Sequence, residues 1–324
     1  MIKFENVSKT YRGGVEAVRN LSLEVQEGET LVLLGTSGCG KTTTLKTVNR
    51  LVEPTSGRVL IQGRSVMEQS EIELRRDIGY AIQHIGLFPH MSVGENIAVV
   101  PRLLDWTEQR LDERVNRLLS MVGLEPEQFR HRYPAQLSGG QKQRVGVARA
   151  LGADPPIVLM DEPFGALDPI TREELQREFI ELQAKLQKTI LFVTHDVFEA
   201  VKMADRVALM DAGQLQQLAT PAELVENPAN EFVDDFLGQH RFQLSLLTRT
   251  VRDLIQEPEG TESGERPEES LSVHDSFIAA LDMFKKTRRA TLPVYDDKTL
   301  TGHLDKSELL NEITTALDET GGRS

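Results

Sequence analysis

Cysteine and long apolar runs are nearly absent from this chain of 324 residues. Cys39 is the only cysteine, which excludes an intrachain disulfide and favours a reducing compartment. No stretch approaches the roughly 18 consecutive apolar residues of a membrane-spanning helix, so we expect any membrane role to come through a partner chain. The opening MIKFENVSKTY carries charge where a signal peptide needs its apolar stretch, and we expect no signal peptide.

Positive charge is also in short supply. The chain has 37 Lys and Arg against 50 Asp and Glu, a formal net charge of −13, and acid stays in excess after residue 241. Broad nucleic-acid binding needs Lys- and Arg-rich surfaces that neutralise phosphates, so we expect no nucleic-acid partner. With 39% hydrophobic and 27% charged residues, the composition is typical of a soluble globular protein, long enough for one large domain and a small one.

Three short apolar runs, at residues 29–35, 155–163 and 189–196, predict buried strands. Between them apolar residues recur at helical spacing, as Leu111 and Val115 do. Alternating strands and helices favour an α/β fold, with a mainly parallel sheet covered by helices on both faces. Polar residues end or follow each run, at the edge of such a sheet where ligands bind.

The stretch GTSGCGKT at residues 35–42 fits the pattern G-x-x-x-x-G-K-[ST] in full. Its backbone amides and the start of the next helix form a cradle for phosphates, which the Lys41 ammonium can reach and where the Thr42 hydroxyl can ligate Mg²⁺. Cys39 occupies a variable position and is interpreted as a spacer. The stretch expected to contact nucleotide comprises Gly35, Thr36, Ser37, Gly38, Cys39, Gly40, Lys41, Thr42 and Thr43.

Five other residues are candidates whose interpretation depends on that loop. Asp161 ends an apolar run and can hold Mg²⁺ through water, and Glu162 beside it can act as general base on the attacking water. Alone, such a pair is more often a solvated turn. His195 can donate a hydrogen bond to the γ-phosphate, although a lone histidine is more often structural. Gln83 can ligate Mg²⁺ through its amide oxygen, and Tyr11 either stacks on adenine or is an ordinary strand tyrosine.

A second glycine-rich helix start, LSGGQ, lies at residues 137–141. Ser138, Gly139 and Gly140 offer backbone amides about a hundred residues from the phosphate loop, so they need not serve the same nucleotide in the same chain. In a head-to-tail homodimer, the serine and glycine amides of each chain would contact the ATP held by the other. Two ATP molecules would then hold the subunits together until hydrolysis opens the dimer.

Taken in order, these motifs resemble the ATP-binding-cassette (ABC) ATPase family over residues 1–238. The resemblance implies a P-loop ABC ATPase fold: a mainly parallel sheet, an antiparallel β part and a helical subdomain at about 88–155. It also implies the homodimer, hydrolysis of ATP, and catalytic roles for Glu162 and His195, while Asp168 in the ALD motif signals across the dimer. The Mg²⁺ ligands that it implies are Thr42, Gln83 and Asp161. The residues that it assigns to nucleotide outside the loop are Tyr11, Gln83, Ser138, Gly139, Gly140, Gln141, Asp161 and Asp168.

The segments IQHIGLFPHMSVGENIAVV and FGALDPITREELQREF look like those of ATPase subunits from bacterial importers for quaternary amines such as glycine betaine, choline and carnitine. This resemblance implies a peripheral protein on the cytoplasmic face of the inner membrane. Its implied partners are two transmembrane permease subunits and, through the complex, an extracytoplasmic substrate-binding protein. Side chains that form a candidate docking groove, unless they pack internally, are Phe88, Met91, Val99, Val100, Leu103 and Leu104.

Two alternatives stay open. The first is an importer ATPase for another small solute, such as an amino acid or a polyamine, because the ATPase does not itself contact the cargo. The second is a soluble ABC ATPase that acts on nucleic acid or ribosomes, which the net acidity disfavours.

The last part of the chain differs in composition. Residues 256–270 carry six glutamates and two prolines, which predict an acidic loop. Beyond it, TLPVYDDKTLTGHLDKSELL resembles a cystathionine-β-synthase (CBS) motif. The resemblance implies a small α/β unit at 248–318, after a connector at 239–247 and before a tail at 319–324. The segment TVRDLI, at 250–255, is expected to be the first strand of this unit.

A complete CBS module has two motifs, so a single motif is expected to pair with its twin across the homodimer. Asp305 and Glu308 stand where nucleotide-binding CBS motifs tend to carry Ser or Thr and then Asp. A carboxylate where a hydroxyl would meet phosphate repels that ligand, and adenylate binding is not expected there. The basic stretch KKTRR at 285–289 is either a solvated helix end or a contact that responds to anionic lipid or ionic strength.

Overall fold

The computed structural model describes residues 1–82, 86–165, 167–255 and 266–321. The chain divides into two compact units, Met1–Leu218 and Ala219–Ser324. The second unit begins before the expected connector at 239–247, because it includes helices from residue 221 onward. Most of the predicted acidic loop at 256–270 and the end of the predicted tail lie outside the described residues.

The strands that begin in the first unit form two sheets. In chain order they are β1 (Ile2–Thr10), β2 (Glu16–Val25), β3 (Thr30–Gly35), β4 (Ser56–Ile61), β5 (Arg64–Ser65), β6 (Ile78–Ala81), β7 (Ile157–Asp161), β8 (Thr189–Val193), β9 (Arg206–Asp211) and β10 (Gln214–Ala219).

The central sheet has the strand order β10-β9-β3-β8-β7-β6. Strand β3 pairs in parallel with β8 and β9, and β7 pairs in parallel with β6 and β8. Every residue of β3, β7 and β8 is buried, as expected for parallel strands covered on both faces. The predicted mainly parallel sheet is confirmed, and the carboxyl ends of β3, β8 and β7 lie side by side at one edge.

The second sheet, β2-β1-β4-β5, is antiparallel. Along the end of β2, buried Leu21, Leu23 and Val25 alternate with exposed residues, so one face of this sheet is apolar. These side chains belong to the same buried cluster as Leu33 of β3 and Leu45 of the following helix. The antiparallel β part is therefore confirmed, and it packs beneath the segment that carries the phosphate loop.

The α-helices of the first unit follow the strands or form a separate group. They are α1 (Lys41–Val48), α2 (Glu71–Arg76), α3 (Val93–Leu103), α4 (Glu108–Met121), α5 (Pro126–Phe129), α6 (Gly139–Ala150), α7 (Pro169–Leu186) and α8 (Val197–Met203). Short 3₁₀ helices occupy Val66–Glu68 and Pro134–Gln136. Helices α3 to α6 fall within the predicted helical part at 88–155, and α4 buries Leu111 and Val115 at the predicted helical spacing.

Helix α1 is shorter than its sequence suggests. The stretch KTTTLKTVNRLVEPTSG, at residues 41–57, predicts a helix that continues until Pro54 and Gly57 stop it, but α1 ends at Val48. Asn49 caps its end and Arg50 adopts a left-handed φ of 54°, a conformation that terminates helices. The expectation was wrong because the chain turns before proline is reached.

The second unit combines helices with a small sheet. Its described elements are α9 (Pro221–Glu226), α10 (Glu231–Leu237), α11 (Arg241–Thr248), β11 (Leu271–Ser272), α12 (Phe277–Thr287), β12 (Thr291–Asp296), β13 (Thr299–Asp305) and α13 (Lys306–Gly321), with 3₁₀ helices at Gly238–His240 and Val251–Leu254. In the sheet, β11 pairs in parallel with β12, which pairs antiparallel with β13. Its core includes Phe277, Phe284, Leu292, Val294 and Leu304.

The predicted first strand of this unit is wrong. Val251–Leu254 is a 3₁₀ helix, and the strand that pairs with β12 is Leu271–Ser272. Val251 and Leu254 are buried three residues apart, which is one turn of a 3₁₀ helix and not the two-residue repeat of a strand. Asp253 also accepts hydrogen bonds from the backbone and hydroxyl of Thr250, which fixes the turn.

None of the helices in the described ranges combines the length and the apolar character that a bilayer crossing requires.

Candidate functional site

The phosphate loop, residues 35–42, joins the end of β3 to the start of α1. Gly35 has φ of 149°, and a Cβ there would lie 2.1 Å from the Met210 carbonyl oxygen. Gly40 has φ of 104°, and its Cβ would lie 2.1 Å from the Ala17 carbonyl oxygen. Both positions therefore exclude any side chain, and the motif's two fixed glycines have a steric reason in this chain.

Lys41 is buried although it carries a charge. Its ammonium nitrogen donates hydrogen bonds to the carbonyl oxygens of Gly35 and Thr36, each at 2.8 Å, so it lies across the loop. The Cys39 thiol is also buried, 3.7 Å from this nitrogen, and burial raises its pKa. The thiol belongs to the apolar cluster beneath the loop, in keeping with the interpretation of Cys39 as a spacer.

Thr42 and Asp161, 119 residues apart in sequence, form a hydrogen bond between the loop and β7. The Thr42 hydroxyl donates to Asp161 Oδ1 at 2.7 Å, and the Tyr80 hydroxyl of β6 lies 3.4 Å from Oδ2. Burial and the neighbouring carboxylate raise the pKa of Tyr80, which keeps the phenol protonated as a donor. Asp161 is itself only 4% exposed, so these hydroxyls are essential partners for its charge.

The Thr42 hydroxyl and the Asp161 carboxylate are hard oxygen donors, which is the chemistry that Mg²⁺ prefers. One carboxylate with one hydroxyl leaves the remaining coordination positions to phosphate and water, as is usual for Mg²⁺ in nucleotide sites. The described residues contain no cluster of three or more His, Cys, Asp and Glu side chains that could hold a metal by itself. The donor set therefore fits a cation that arrives with a nucleotide.

Glu162, the next residue, has an unusual backbone. Its φ of 45° lies in the left-handed region, which costs about 1–3 kcal/mol for a residue with a side chain. The conformation is held by hydrogen bonds from Glu162 N–H to the Val193 carbonyl and from Gly165 N–H to the Glu162 carbonyl. Because the chain turns sharply here, the side chains of Asp161 and Glu162 contact different residues.

The Glu162 carboxylate faces His195. Glu162 Oε2 lies 3.3 Å from His195 Nδ1, and the histidine side chain is 54% exposed. The residues on either side of His195 fix its backbone. Thr194 N–H donates a hydrogen bond to the Leu33 carbonyl of β3, and Asp196 N–H donates one to the Thr194 hydroxyl at 3.0 Å. Two predicted catalytic side chains therefore meet at the strand edge that carries the phosphate loop.

Tyr11 lies beside the same loop. Its hydroxyl is 3.3 Å from the Thr43 hydroxyl, and 41% of the residue is exposed. The Lys9 ammonium lies 5.3 Å from the ring centroid. An aromatic ring next to a phosphate cradle is suited to stacking on a base, and this role of Tyr11 stays a prediction.

The family of the chain follows from two comparisons. The sequence model of a family described as "ABC transporter" matches residues 18–165. The chain is 49% identical over 306 residues to "Glycine betaine/carnitine/choline transport ATP-binding protein OpuCA" of Bacillus subtilis (strain 168), an alignment that covers 94% of this chain and 78% of that protein. The chain belongs to the ABC transporter family.

Two further matches extend this result. The ABC ATPase is 48% identical over 295 residues to "Glycine betaine uptake system ATP-binding protein YehX" of Escherichia coli (strain K12), over 91% of this chain and 94% of that protein. A solved structure described as "Dimeric structure of a post-hydrolysis state of the ATP-binding cassette MJ0796 bound to ADP and Pi" matches with a TM-score of 0.61 and 34% identity, over 68% of this chain and 98% of that chain. The predicted ABC ATPase fold and the resemblance to quaternary-amine importer ATPases are confirmed.

The LSGGQ motif begins helix α6 of this ABC ATPase. The Ser138 hydroxyl accepts a hydrogen bond from Gln141 N–H, and the Gln141 side chain accepts one from Ser138 N–H at 3.0 Å, a reciprocal cap. A Cβ at Gly140 would lie 2.6 Å from the Thr171 side chain of α7, whereas Gly139 is exposed. Among the described residues, these contacts are made within α6 or with α7, and none of them is made with the phosphate loop.

Asp168 is the N-cap of α7. Its carboxylate accepts a hydrogen bond from Thr171 N–H at 3.1 Å, and the hydrogen bonds from Thr171 lower its pKa. Through Thr171 the start of α7 therefore lies next to the LSGGQ helix. The structure places Asp168 with the second motif, while the phosphate loop, Asp161, Glu162 and His195 lie along the edge of the central sheet. Tyr11, which follows β1 of the antiparallel sheet, lies beside the phosphate loop. Gln83 lies outside the described residues.

The candidate docking side chains are mostly accessible. Phe88 is 40% exposed and Leu103 is 56% exposed, and Met91, Val99, Val100 and Leu104 are half-buried. Phe88, Val99 and Val100 line a groove of about 370 Å³, together with Tyr80 of β6 and Arg149 of α6. Tyr80 is thus shared between this groove and the Asp161 carboxylate.

Three polar residues of the site are absent from the sequence-based prediction: Tyr80, Thr194 and Glu199. Tyr80 and Thr194 lie in or beside buried strands, where their sequence neighbours predict only packing. Glu199 accepts hydrogen bonds from Thr194 and Gln176, and it follows His195 by four residues, but no motif predicts these contacts. The one signal in the sequence that could have indicated Glu199 is its place in the first turn of the helix that follows the candidate catalytic histidine.

Proposed function

We propose that this chain is the ATP-hydrolysing subunit of an ABC importer for quaternary-amine osmoprotectants such as glycine betaine, choline or carnitine. The observation that carries the proposal is the hydrogen bond between Thr42 and Asp161, at 2.7 Å, beside the buried Lys41 and the Glu162–His195 pair. This arrangement supports triphosphate chemistry, and the names of relatives 48–49% identical to the chain support the cargo class.

ATP binding is assigned to the phosphate loop and its surroundings. The Lys41 ammonium neutralises phosphate charge, loop amides donate to phosphate oxygens, and Tyr11 provides a face for the base. Thr42 and Asp161 would hold Mg²⁺, with Gln83 as a further ligand. When bound, the ion supplies charge neutralisation at the phosphates.

Hydrolysis is assigned to Glu162 and His195. The Glu162 carboxylate accepts the proton of the attacking water, and its strained backbone fixes the direction of that carboxylate. His195, largely exposed and held from both sides by its neighbours, donates to the γ-phosphate. Their 3.3 Å contact orients each group by the other.

The functional unit is proposed to be a head-to-tail homodimer. Ser138 caps helix α6, and Ser138 and Gly139 are exposed at its start, where their backbone amides could contact the ATP held by a second copy. Gly140, buried beside Thr171 of α7, would support the same contact. Gln141 supports this turn through its bond to Ser138, and Asp168 lies nearby to sense the partner. The similar MJ0796 cassette was solved as a dimer, which supports this arrangement.

The membrane partners are proposed to be two permease subunits, which position the protein at the cytoplasmic face of the membrane. The groove that contains Phe88, Val99 and Val100 offers an accessible apolar surface for a permease segment. An extracytoplasmic substrate-binding protein would deliver the solute to the same complex. The second unit, whose small sheet has one parallel and one antiparallel strand pair, is proposed to be a CBS-like unit.

Solute uptake by the complete complex tests the function. The complex is assembled in vesicles with ATP and Mg²⁺ inside, and uptake of labelled glycine betaine, choline and carnitine is compared with that of an amino acid and a polyamine. We expect uptake of at least one quaternary amine, abolished by Lys41→Ala. Uptake confined to the amino acid or the polyamine would contradict the cargo class. ATPase activity stimulated by DNA or ribosomal RNA, without transport, would contradict the importer.

A further inference from the structure

A buried polar cluster lies behind His195. The Glu199 carboxylate, on helix α8, is 4% exposed. Its Oε1 accepts a hydrogen bond from the Gln176 amide nitrogen at 2.9 Å, and its Oε2 accepts one from the Thr194 hydroxyl at 2.6 Å. Gln176 and Thr194 are buried as well, at 7% and 2% exposure.

Packing alone does not account for this cluster. A buried carboxylate is costly to desolvate, and apolar side chains of similar size usually fill such space with equal or greater stability. Burial raises the pKa of Glu199, which reflects that cost. Polar groups that are fully hydrogen-bonded at such a position specify one arrangement of the elements that they join.

The elements joined here are the two that carry His195 and Asp168. Thr194 directly precedes His195, and its hydroxyl both donates to Glu199 and accepts from Asp196 N–H. Gln176 lies on helix α7, and Asp168 is the N-cap of that helix. Glu199 therefore links, through two hydrogen bonds, the residue that precedes His195 to the helix that follows Asp168.

A second, more exposed link runs in parallel. Arg172 of α7 donates to the Leu167 carbonyl at 3.1 Å, and its guanidinium lies 4.0 Å from the Asp196 carboxylate. Both links join α7 to residues that flank His195. The buried link is the tighter of the two.

We propose that Glu199 is a positioning residue that fixes His195 relative to the Asp168 end of helix α7. It thereby transmits the arrangement of the segment at Asp168 to the histidine. The inference rests on the proposed ATPase function. Glu199 is not assigned a contact with nucleotide or with the attacking water, and it acts through Thr194 and Gln176.

Two substitutions at residue 199 separate the hydrogen bonds from the packing. Glu199→Leu keeps much of the volume and removes both bonds. Glu199→Gln keeps both, since its amide oxygen accepts from Thr194 and its amide nitrogen donates to Gln176 once that amide rotates. Glu173→Leu is the control for the exchange of Glu for Leu, because Glu173 is exposed and lies on α7, the helix that carries Gln176.

ATP hydrolysis by the purified full chain is the assay, with kcat and KM measured separately. For Glu199→Leu we expect kcat to fall about 10- to 100-fold, the effect of a misplaced catalytic group, with KM nearly unchanged. Glu199→Gln should retain most of kcat, and Glu173→Leu should match the native chain. In a His195→Ala background, Glu199→Leu should lower the residual kcat by less than about twofold, because coupled positions are not additive.

The outcomes are distinct from those that test the ATPase function itself. A native chain without ATP hydrolysis, or a His195→Ala chain with full activity, would overturn the proposed function. A normal kcat for Glu199→Leu, or an equal loss with and without His195, would overturn the positioning role alone. If Glu199→Leu does not fold, Gln176→Leu removes only the α7 anchor and should show the same dependence on His195.

Discussion

The hydrogen bond from Thr42 to Asp161 gives the sharpest test of the site. The substitution Thr42→Val removes the hydroxyl and keeps the branched shape, so packing changes little. Asp161 is nearly fully buried and would retain, of its two hydroxyl donors, only the Tyr80 phenol at 3.4 Å, which is a long contact.

The expected magnitude follows from the charge of the acceptor. A hydrogen bond to a charged group contributes about 1.5–3 kcal/mol, and this one is short and partly buried. For a unit of the size of Met1–Leu218, each kcal/mol shifts Tm by about 2–4 °C, so Thr42→Val should lower Tm by about 3–12 °C in the absence of nucleotide. Added Mg²⁺ and ATP should raise the Tm of the variant less than that of the native chain, since the hydroxyl is also a proposed Mg²⁺ ligand.

Thr43→Val is the matched control. Thr43 is the adjacent residue, also half-buried, and its hydroxyl lies 3.3 Å from the exposed Tyr11 phenol. Its loss should change stability by no more than about 0.5 kcal/mol. Thermal unfolding followed by circular dichroism, with and without Mg²⁺ and ATP, measures both variants. Equal shifts in Tm for the two variants would refute the prediction, because they would show that the Thr42–Asp161 hydrogen bond stabilises the fold no more than the Thr43–Tyr11 contact does.

Three further predictions concern the proposed reaction. Lys41→Ala should abolish ATP binding, measured by equilibrium titration with a fluorescent ATP analogue; unchanged affinity would remove Lys41 from the phosphate site. Glu162→Gln should bind ATP but lower kcat by about 10²- to 10⁴-fold and accumulate as an ATP-bound dimer in size-exclusion chromatography; rapid turnover would assign the base elsewhere. Ser138→Arg should cripple hydrolysis, yet a mixture with Lys41→Ala should recover activity, because a head-to-tail heterodimer places both defects in one site and leaves the other intact. No recovery on mixing would contradict the shared site.

Local signals were enough to predict the phosphate loop and the strands that border it. The loop needs glycine where φ is positive and backbone atoms approach closely, and both requirements are visible in the pattern. The apolar runs that end at Gly35 and Asp161 predict buried strands of one parallel sheet, whose carboxyl ends meet at the same edge. In the structure β8 lies between these two strands, and the Thr42–Asp161 hydrogen bond spans it.

Other features depend on contacts between distant segments and could not be predicted this way. The strand Leu271–Ser272 is two residues long, too short to show a two-residue repeat, and it exists because β12 pairs with it. The 3₁₀ helix at Val251–Leu254, where a strand was expected, also depends on distant contacts, because Val251 and Leu254 are buried in the core of the second unit. Glu199 meets Gln176 across 23 residues, and only the packing of α7 against α8 brings them together.

The position of β3 in the central sheet has a consequence for synthesis. Its two partners, β8 and β9, end at Val193 and Asp211, whereas β3 itself ends at Gly35. A ribosome adding about 5–20 residues per second needs roughly 10–35 s to cover the interval from Gly35 to Asp211. For most of that time the apolar strand β3 lacks the two strands that pair with it in the central sheet. The nascent chain would thus acquire nucleotide affinity late in synthesis. Until β8 and β9 have been made, chaperones or the earlier β1–β2 hairpin would have to shield the apolar side chains of β3 from water.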